Sequence, residues 1–201
     1  MLGRRLADLL LFCVTATELV ILFLLTPTFR IADWIYVLQH LVVLGIAVSR
    51  PHPTVRDYSI ASSTAVIIAY AYPYAQVICL RESPGYLAWA GVGLALVTFA
   101  AGLSLVTLFT LGRLFGVRQA VRGLATSGPY RFVRHPMYLS YILADIGYNL
   151  EEWNLVTLPL VLIGWAALVY RIYAEERVLS QHSGWQSYAA SVRSRLFPGL
   201  W

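Results

Sequence analysis

Six apolar runs, each broken off by proline, glycine or charge, limit what this 201-residue chain can become. They span Leu6 to Leu25, Ile31 to Val48, Tyr58 to Leu80, Tyr86 to Leu111, Met137 to Leu150 and Leu155 to Tyr170. Crossing a hydrocarbon core about 30 Å thick takes about 20 apolar residues in a helix, and most of these runs approach that length. The expected fold class is therefore all-α, a polytopic membrane bundle of about five to six transmembrane helices. The fifth run is short. It is expected to tilt, to extend backward through Phe132, or to pair as a tight hairpin with the sixth across Glu151-Glu152-Trp153-Asn154, and five full spans plus a partial one is the alternative count.

Composition agrees. Apolar residues make up 59% of the chain and charged residues 12%, with a mean hydropathy of +0.67, whereas soluble domains carry roughly 25% charged residues. The formal charge of +5 reads as topology, because cytoplasmic loops collect arginine near membrane ends. Arg4 and Arg5 precede the first run, and Arg50 and Arg56 follow the second. Arg113, Arg118, Arg122, Arg131 and Arg134 follow the fourth, and Arg171, Arg177, Arg193 and Arg195 follow the sixth. The intervening loops hold Arg30, Arg81 and the acidic pair Glu151 and Glu152. This alternation predicts a multi-pass protein with both termini in the cytoplasm and a retained first helix rather than a cleaved leader. A nucleic-acid partner would need a soluble basic face, which the pattern does not offer. Cys13 and Cys79 sit inside apolar runs without a Cys/His cluster, so no disulfide framework and no metal site is expected. Gly91, Gly93, Ala95 and Gly102 read as a small-residue packing surface, usable within the chain or between copies. Glu18 is a candidate intramembrane polar partner, whereas His40 reads as a packed side chain and His52 as part of a turn.

Two polar constellations stand out. The stretch from Gly112 to His135 holds five arginines and ends in Gly128-Pro129-Tyr130-Arg131-Phe132-Val133-Arg134-His135-Pro136-Met137-Tyr138. Gly128-Pro129 forces a bend, and Pro136 fits the first helical turn, where a missing N–H is no loss. The other N–H groups of that turn are placed to meet a carboxylate. Tyr138, Tyr141, Asp145 and Tyr148 recur at helical spacing on one face of the fifth helix. Tyrosines alone would read as packing, but an acid at membrane depth is costly and faces the bundle or a wet cavity. The second constellation is Arg171-Ile172-Tyr173-Ala174-Glu175-Glu176-Arg177, with Arg171 and Glu175 four apart on one face. Adjacent carboxylates near a helix C-terminus oppose its dipole unless the helix runs on past them.

From Leu111 to Trp201 the chain resembles the isoprenylcysteine carboxyl methyltransferases and the related phospholipid methyltransferases. The resemblance rests on Thr126-Ser127-Gly128-Pro129-Tyr130 through Arg134-His135-Pro136-Met137-Tyr138, on Glu175-Glu176 with Leu179, and on Gly184-Trp185-x-x-Tyr188 running to Arg195-Leu196-Phe197-Pro198. It implies a C-terminal half, residues 112–201, folded over S-adenosylmethionine at the cytosolic face, behind N-terminal transmembrane helices in residues 1–111. Carried over position by position, it makes Leu124, Ala125, Tyr130, His135, Pro136, Met137, Tyr138 and Glu175 the cofactor's surroundings. Arg171 would steer the acceptor as the catalytic residue, and Tyr141 and Asp145, on the polar stripe of the fifth helix, are candidate further acceptor contacts. Arg122-Gly123-Leu124-Ala125 stands where the prenylcysteine enzymes often have His-Thr-Leu-Val, a departure at the start of the cofactor segment.

The implied partner is a lipophilic or prenylated acceptor arriving from the bilayer, and a monomer suffices for the chemistry. The residues leave the acceptor class open among prenylcysteine carboxylates, phospholipid amines and small thiols. Two readings of other classes compete, a nicotinamide-dependent enzyme like the sterol reductases and a non-catalytic membrane scaffold. Chain length speaks against the first, and retention of Arg171 with Glu175 against the second.

Overall fold

The computed structural model describes residues 12–13, 15–21, 23–24, 31–49, 55–57, 59–82, 89–116, 120–151, 155–199 and 201. Residues 15–21 belong to a first helix, α1. There follow α2 (Ile31–Ser49), α3 (Ile60–Glu82), α4 (Ala90–Leu111), α5 (Pro136–Glu151), α6 (Leu158–Leu179) and a short α7 (Trp185–Ser191). Four of the apolar runs match α2 to α5 within a few residues. The sixth run underestimates its helix, because α6 carries on through Arg171, Glu175 and Glu176 to Leu179. Glu175 and Glu176 thus lie near the last turn, where their charge opposes the helix dipole, and the cations around Glu176 offset that cost. The architecture is helical, with one addition that hydropathy cannot signal. β1 (Val55–Arg56) and β2 (Ala120–Val121) pair antiparallel and tie the α2–α3 connection to the α4–α5 connection.

α4 is the central element, packed against α2 and α5, while α6 lies along α3. α5 therefore has α4 as its main neighbour, not the α6 partner a tight hairpin would give. Glycines allow that approach: a Cβ on Gly93 would lie 2.6 Å from the Gly147 carbonyl oxygen, and one on Gly147 would lie 2.9 Å from that of Gly93. Only hydrogen in place of a side chain at both positions lets the two backbones meet. Gly128 has φ +55, the left-handed bend the Gly-Pro pair predicts, and it packs on Thr110 of α4. At its start, α3 is capped by Ser59, whose Oγ accepts from the Ser62 N–H at 3.2 Å. Asp57 adds an acceptor for the Ser59 N–H at 2.8 Å, and that backbone hydrogen bond holds its carboxyl below the usual range.

Among the described residues, Ala90–Leu114 and Leu158–Leu179 have the length and apolarity to cross a membrane, fewer than the five to six helices expected. α5 has 16 residues, a rise of about 24 Å. α2 and α3 lose hydropathy to Asp33, Gln39 and His40 and to Tyr70, Tyr72, Tyr74 and Gln76. Those polar groups do not face outward. Asp33, Gln39, His40 and Gln76 are buried, while Ile67, Phe99, Phe109, Leu162 and Ile163 are exposed. Glu18 and His40 meet across α1 and α2: His40 Nδ1 lies 2.8 Å from the Tyr36 carbonyl oxygen and Nε2 lies 3.0 Å from Glu18 Oε2. His40, expected as simple packing, is thus the partner Glu18 was expected to have. His52 and the Glu152-Trp153-Asn154 turn lie outside the described residues.

Candidate functional site

A cavity opens where the α4–α5 connection, the start of α5 and the end of α6 converge. Its walls include Tyr130, His135, Met137, Tyr138 and Tyr141, Arg171 and Glu175 from α6, and Tyr70 from α3. Leu111, Leu114, Phe115, Gly116 and Arg122 close the loop side. Two segments some 35 residues apart in sequence, singled out separately for their chemistry, therefore share one cavity.

Arg171 is the costliest group there. It is 5% exposed, and its guanidinium carbon sits 5.3 Å from the centroid of the Tyr138 ring and 5.8 Å from that of Tyr70. Aromatic faces attract a cation and fix its plane without supplying a counter-charge. One turn on, Glu175 accepts a hydrogen bond from the Tyr138 hydroxyl at 2.8 Å. Tyr138 thus touches both charged groups, its ring against Arg171 and its hydroxyl on Glu175. The i, i+4 spacing along α6 brings the two charges to the same cavity.

Glu176 points elsewhere. Its carboxylate gathers Arg134 at 3.1 Å, His135 Nε2 at 3.3 Å and Arg195, whose Nε and Nη2 donate at 3.0 and 2.9 Å. The 194–196 segment seals this hub through its main chain. The Arg134 N–H donates to the Ser194 carbonyl and the His135 N–H to the Arg195 carbonyl, each at 2.9 Å. The Arg195 guanidinium lies between the rings of Tyr173 and Trp201, at 5.2 and 5.4 Å. His135 consequently reaches the cavity with its backbone held by one segment and its ring by Glu176, and it stacks on Tyr138 at 5.6 Å. The expectation that the first-turn N–H groups await a carboxylate is corrected in part. The His135 N–H binds Arg195, the Leu139 N–H binds the His135 carbonyl, and Pro136 has none.

Not every expected residue lines the cavity. Leu124 and Ala125 pack beside Tyr130, Trp185, Tyr188 and Val192, in a cluster that supports the cavity from behind. There the Tyr188 hydroxyl donates to the Tyr130 carbonyl at 2.9 Å, and burial pushes the Tyr188 phenol up to about 12 and Tyr130 well above its ordinary value. Pro136 is fully buried and is not among the cavity's walls. Asp145 lies further along α5, where its Oδ2 accepts from the Tyr72 hydroxyl at 2.7 Å and the Trp165 indole N–H at 2.8 Å. It ties α5 to α3 and α6 and is not a cavity wall. Tyr141 does line the cavity, edge-on to Tyr138.

Sequence reasoning missed Tyr70, Leu111, Leu114, Phe115, Gly116 and Arg122 as wall residues. Only the arginine carried a signal, as one of five in its loop and as the first residue of the segment that the resemblance places at the cofactor. The role of Glu176 as a hub was likewise hidden, because adjacent glutamates on a helix look alike until it is known which side each faces. Among the described residues no group of three or more His, Cys, Asp and Glu could hold a metal ion.

Residues 84–181 match the family described as isoprenylcysteine carboxyl methyltransferase (ICMT). The chain is also 27% identical over 163 residues to protein-S-isoprenylcysteine O-methyltransferase A of Arabidopsis thaliana, an alignment covering 70% of this chain and 81% of that protein.

Proposed function

We propose that this chain is a methyltransferase of the isoprenylcysteine carboxyl methyltransferase kind, a reading supported by the family match over residues 84–181 and by the Arabidopsis thaliana relative, and that it methylates the carboxylate of a lipophilic, isoprenylcysteine-like acceptor in a membrane, using S-adenosylmethionine. The observation that carries the reading is the buried Arg171 guanidinium opening on the same cavity as Glu175, with Tyr138 bridging them.

The donor set fits the cofactor. A carboxylate, Glu175, faces the cavity for ammonium or hydroxyl groups, and Tyr130 and Tyr138 supply rings for a purine or ribose. When bound, S-adenosylmethionine supplies an electrophilic methyl group on a sulfonium. The chain's own groups then have three tasks. Arg171 holds the acceptor carboxylate through paired, charge-assisted hydrogen bonds and keeps it ionised. An ionised carboxylate is already a nucleophile, so no general base is needed, and no residue has to remove a proton. The rings of Tyr138 and Tyr70 fix the guanidinium plane, which fixes the direction the carboxylate faces. Orientation of this kind contributes on the order of 7 kcal/mol in well-aligned cases. A buried arginine suits an anionic acceptor and opposes a protonated amine, which favours the carboxylate over lipid amines.

The membrane setting rests on polar groups buried and apolar groups exposed along the helices, the reverse of a water-soluble protein. Two helices of spanning length and a cavity beside the arginine-rich connection fit a multi-pass protein with that connection and both termini in the cytoplasm. The described walls of the cavity all come from one chain, which is consistent with a monomer being sufficient.

Calorimetric titration of S-adenosylmethionine into detergent-purified protein tests the reading, beside Glu175→Ala and with reduced nicotinamide dinucleotide as control. Binding that Glu175→Ala weakens at least tenfold is expected. Folded wild-type protein that binds the nicotinamide, or neither compound, would overturn it.

A further inference from the structure

Resting on that reading, we infer that Trp201 is a positioning residue for cofactor capture, acting through Arg195 and Glu176 on the His135 imidazole in the cavity wall. The relay starts at Glu176, whose two oxygens are divided between partners. Oε2 accepts from Arg195 Nε at 3.0 Å and Nη2 at 2.9 Å, while Oε1 faces Arg134 Nε at 3.1 Å and His135 Nε2 at 3.3 Å. Two donors of one planar guanidinium on one oxygen fix the carboxylate's plane, and so fix where Oε1 meets the imidazole. An ionised carboxylate only accepts, so the shared ring proton sits on Nε2. The ring so held stacks on Tyr138 at 5.6 Å, and the Tyr138 hydroxyl donates to Glu175. His135, Tyr138 and Glu175 are all cavity walls. What holds Arg195 therefore decides how three wall residues stand.

Arg195 does not hold itself. Its side chain is 25% exposed, so water competes for the charge, and ordering so long a side chain costs entropy that a lone ion pair near the surface scarcely offsets. Trp201 restrains it in two ways. Its main-chain oxygen accepts from the Arg195 N–H at 2.7 Å and the Leu196 N–H at 3.1 Å, which folds the segment from Arg195 to Trp201 back on itself. Gly199, at φ +78 and with its N–H on Ser194 Oγ at 2.9 Å, makes the turn. The Trp201 ring then stands 6.0 Å from that of Tyr173, tilted by 56°, and the guanidinium caps the slot at 5.2 Å from Tyr173 and 5.4 Å from Trp201. Two aromatic faces restrain the cation's plane, and indole attracts it more strongly than phenol. At 41% exposed, the Trp201 ring fills no core, so its loss disturbs Arg195 more than it disturbs the fold.

Calorimetric affinity for S-adenosylmethionine, measured on the whole chain in detergent, tests the inference. Trp201→Leu keeps apolar bulk without an aromatic face, Trp201→Phe keeps a ring, and Arg195→Lys keeps the charge without the planar fork. Phe197→Leu, an exposed ring lost from the same segment, is the control. Trp201→Leu and Arg195→Lys should each weaken binding about fivefold or more, and the double variant should stay within about twofold of the weaker single, because both act on one contact. Trp201→Phe restores most of the affinity, and Phe197→Leu keeps the wild-type value. The His135 Nε2 proton reads the site directly, in protein carrying isotope-labelled histidine and with His135→Gln for assignment. It should be protected from solvent exchange in wild type and in Trp201→Phe, and should exchange faster in Trp201→Leu. A merely structural role for Trp201 lowers Tm without moving that proton in folded protein. Trp201→Leu that binds as tightly as Phe197→Leu, losses that multiply in the double variant, or an Nε2 proton unchanged by Trp201→Leu overturns the inference while the methyltransferase reading stands. Wild type that does not bind S-adenosylmethionine ends both.

Discussion

Replacing glycine by alanine at two kinds of position on α4 and α5 should give effects of opposite sign. In a helix interior alanine is favoured over glycine by about 1 kcal/mol. Gly102 has nothing within 4 Å of where its Cβ would stand, so Gly102→Ala should be neutral or stabilising by up to that amount. At Gly93 the new methyl would lie 2.6 Å from the Gly147 carbonyl oxygen and 2.7 Å from the Glu151 amide nitrogen. At Gly147 it would lie 2.7 Å from Val97 Cγ2 and 3.0 Å from the Val97 amide nitrogen. Most of these neighbours are backbone, which yields only if the helices separate, and overpacking of this kind costs about 1–3 kcal/mol. After the propensity gain is offset, Gly93→Ala and Gly147→Ala should each destabilise by up to about 2 kcal/mol, or several degrees in Tm for a chain of this length. Because α5 carries Met137, Tyr138 and Tyr141 to the cavity, the same two variants should weaken S-adenosylmethionine binding. Thermal unfolding of the three variants in one detergent checks the signs. Gly93→Ala and Gly147→Ala melting at or above wild type, alongside Gly102→Ala, would refute the close-crossing account.

Glu176→Ala leaves Arg134, His135 and Arg195 facing one another with no anion between them, and loss of one partner in so buried a cluster costs about 3–5 kcal/mol. A large drop in Tm together with weaker cofactor binding is expected, and an unchanged melting curve would show that the hub is dispensable. Asp145→Ala strands the buried Tyr72 hydroxyl and Trp165 N–H, at about 1–3 kcal/mol each, whereas Asp145→Asn keeps an acceptor and should be milder. Neither should change cofactor affinity in protein that remains folded, and an affinity loss in a stable Asp145→Asn protein would return this residue to the binding site. Tyr188→Phe removes one buried hydrogen bond, worth about 1 kcal/mol. Burial pushes the folded phenol up to about 12, above the unfolded value of about 10, so its contribution is complete below pH 10 and is lost as pH rises through 12. The stability gap between wild type and Tyr188→Phe should therefore narrow over that interval, and a gap growing with pH would contradict the assignment.

Hydropathy located α2 to α5 closely because apolar runs and their Gly/Pro breaks are local signals. The sixth apolar run ends at Tyr170, but Arg171 to Arg177 read as the end of the same helix, and α6 does carry them before it ends at Leu179. The β1–β2 pair was invisible, because two residues per strand carry no periodicity and the pairing partners are far apart in sequence. Within the site, the motif residues Tyr130, His135, Met137, Tyr138, Arg171 and Glu175 line one cavity. The distinction between Glu175 and Glu176, and the placing of Asp145 away from the cavity, depend on which side of a helix meets which neighbour. The approach of Gly116 to Arg122 was not legible, because it is a tertiary contact in a loop, where no spacing rule applies.

The central claim is that Arg171 presents an acceptor carboxylate for methylation. Its most direct test is formation of base-labile methyl ester from labelled S-adenosylmethionine and a farnesylated cysteine analogue by reconstituted protein. Arg171→Ala and the amide of the same acceptor serve as comparisons. The account predicts ester formation by wild type, a loss of at least a hundredfold with Arg171→Ala, and none with the amide. Equal turnover by Arg171→Ala, or label transferred to a lipid amine and not to the carboxylate, would contradict it.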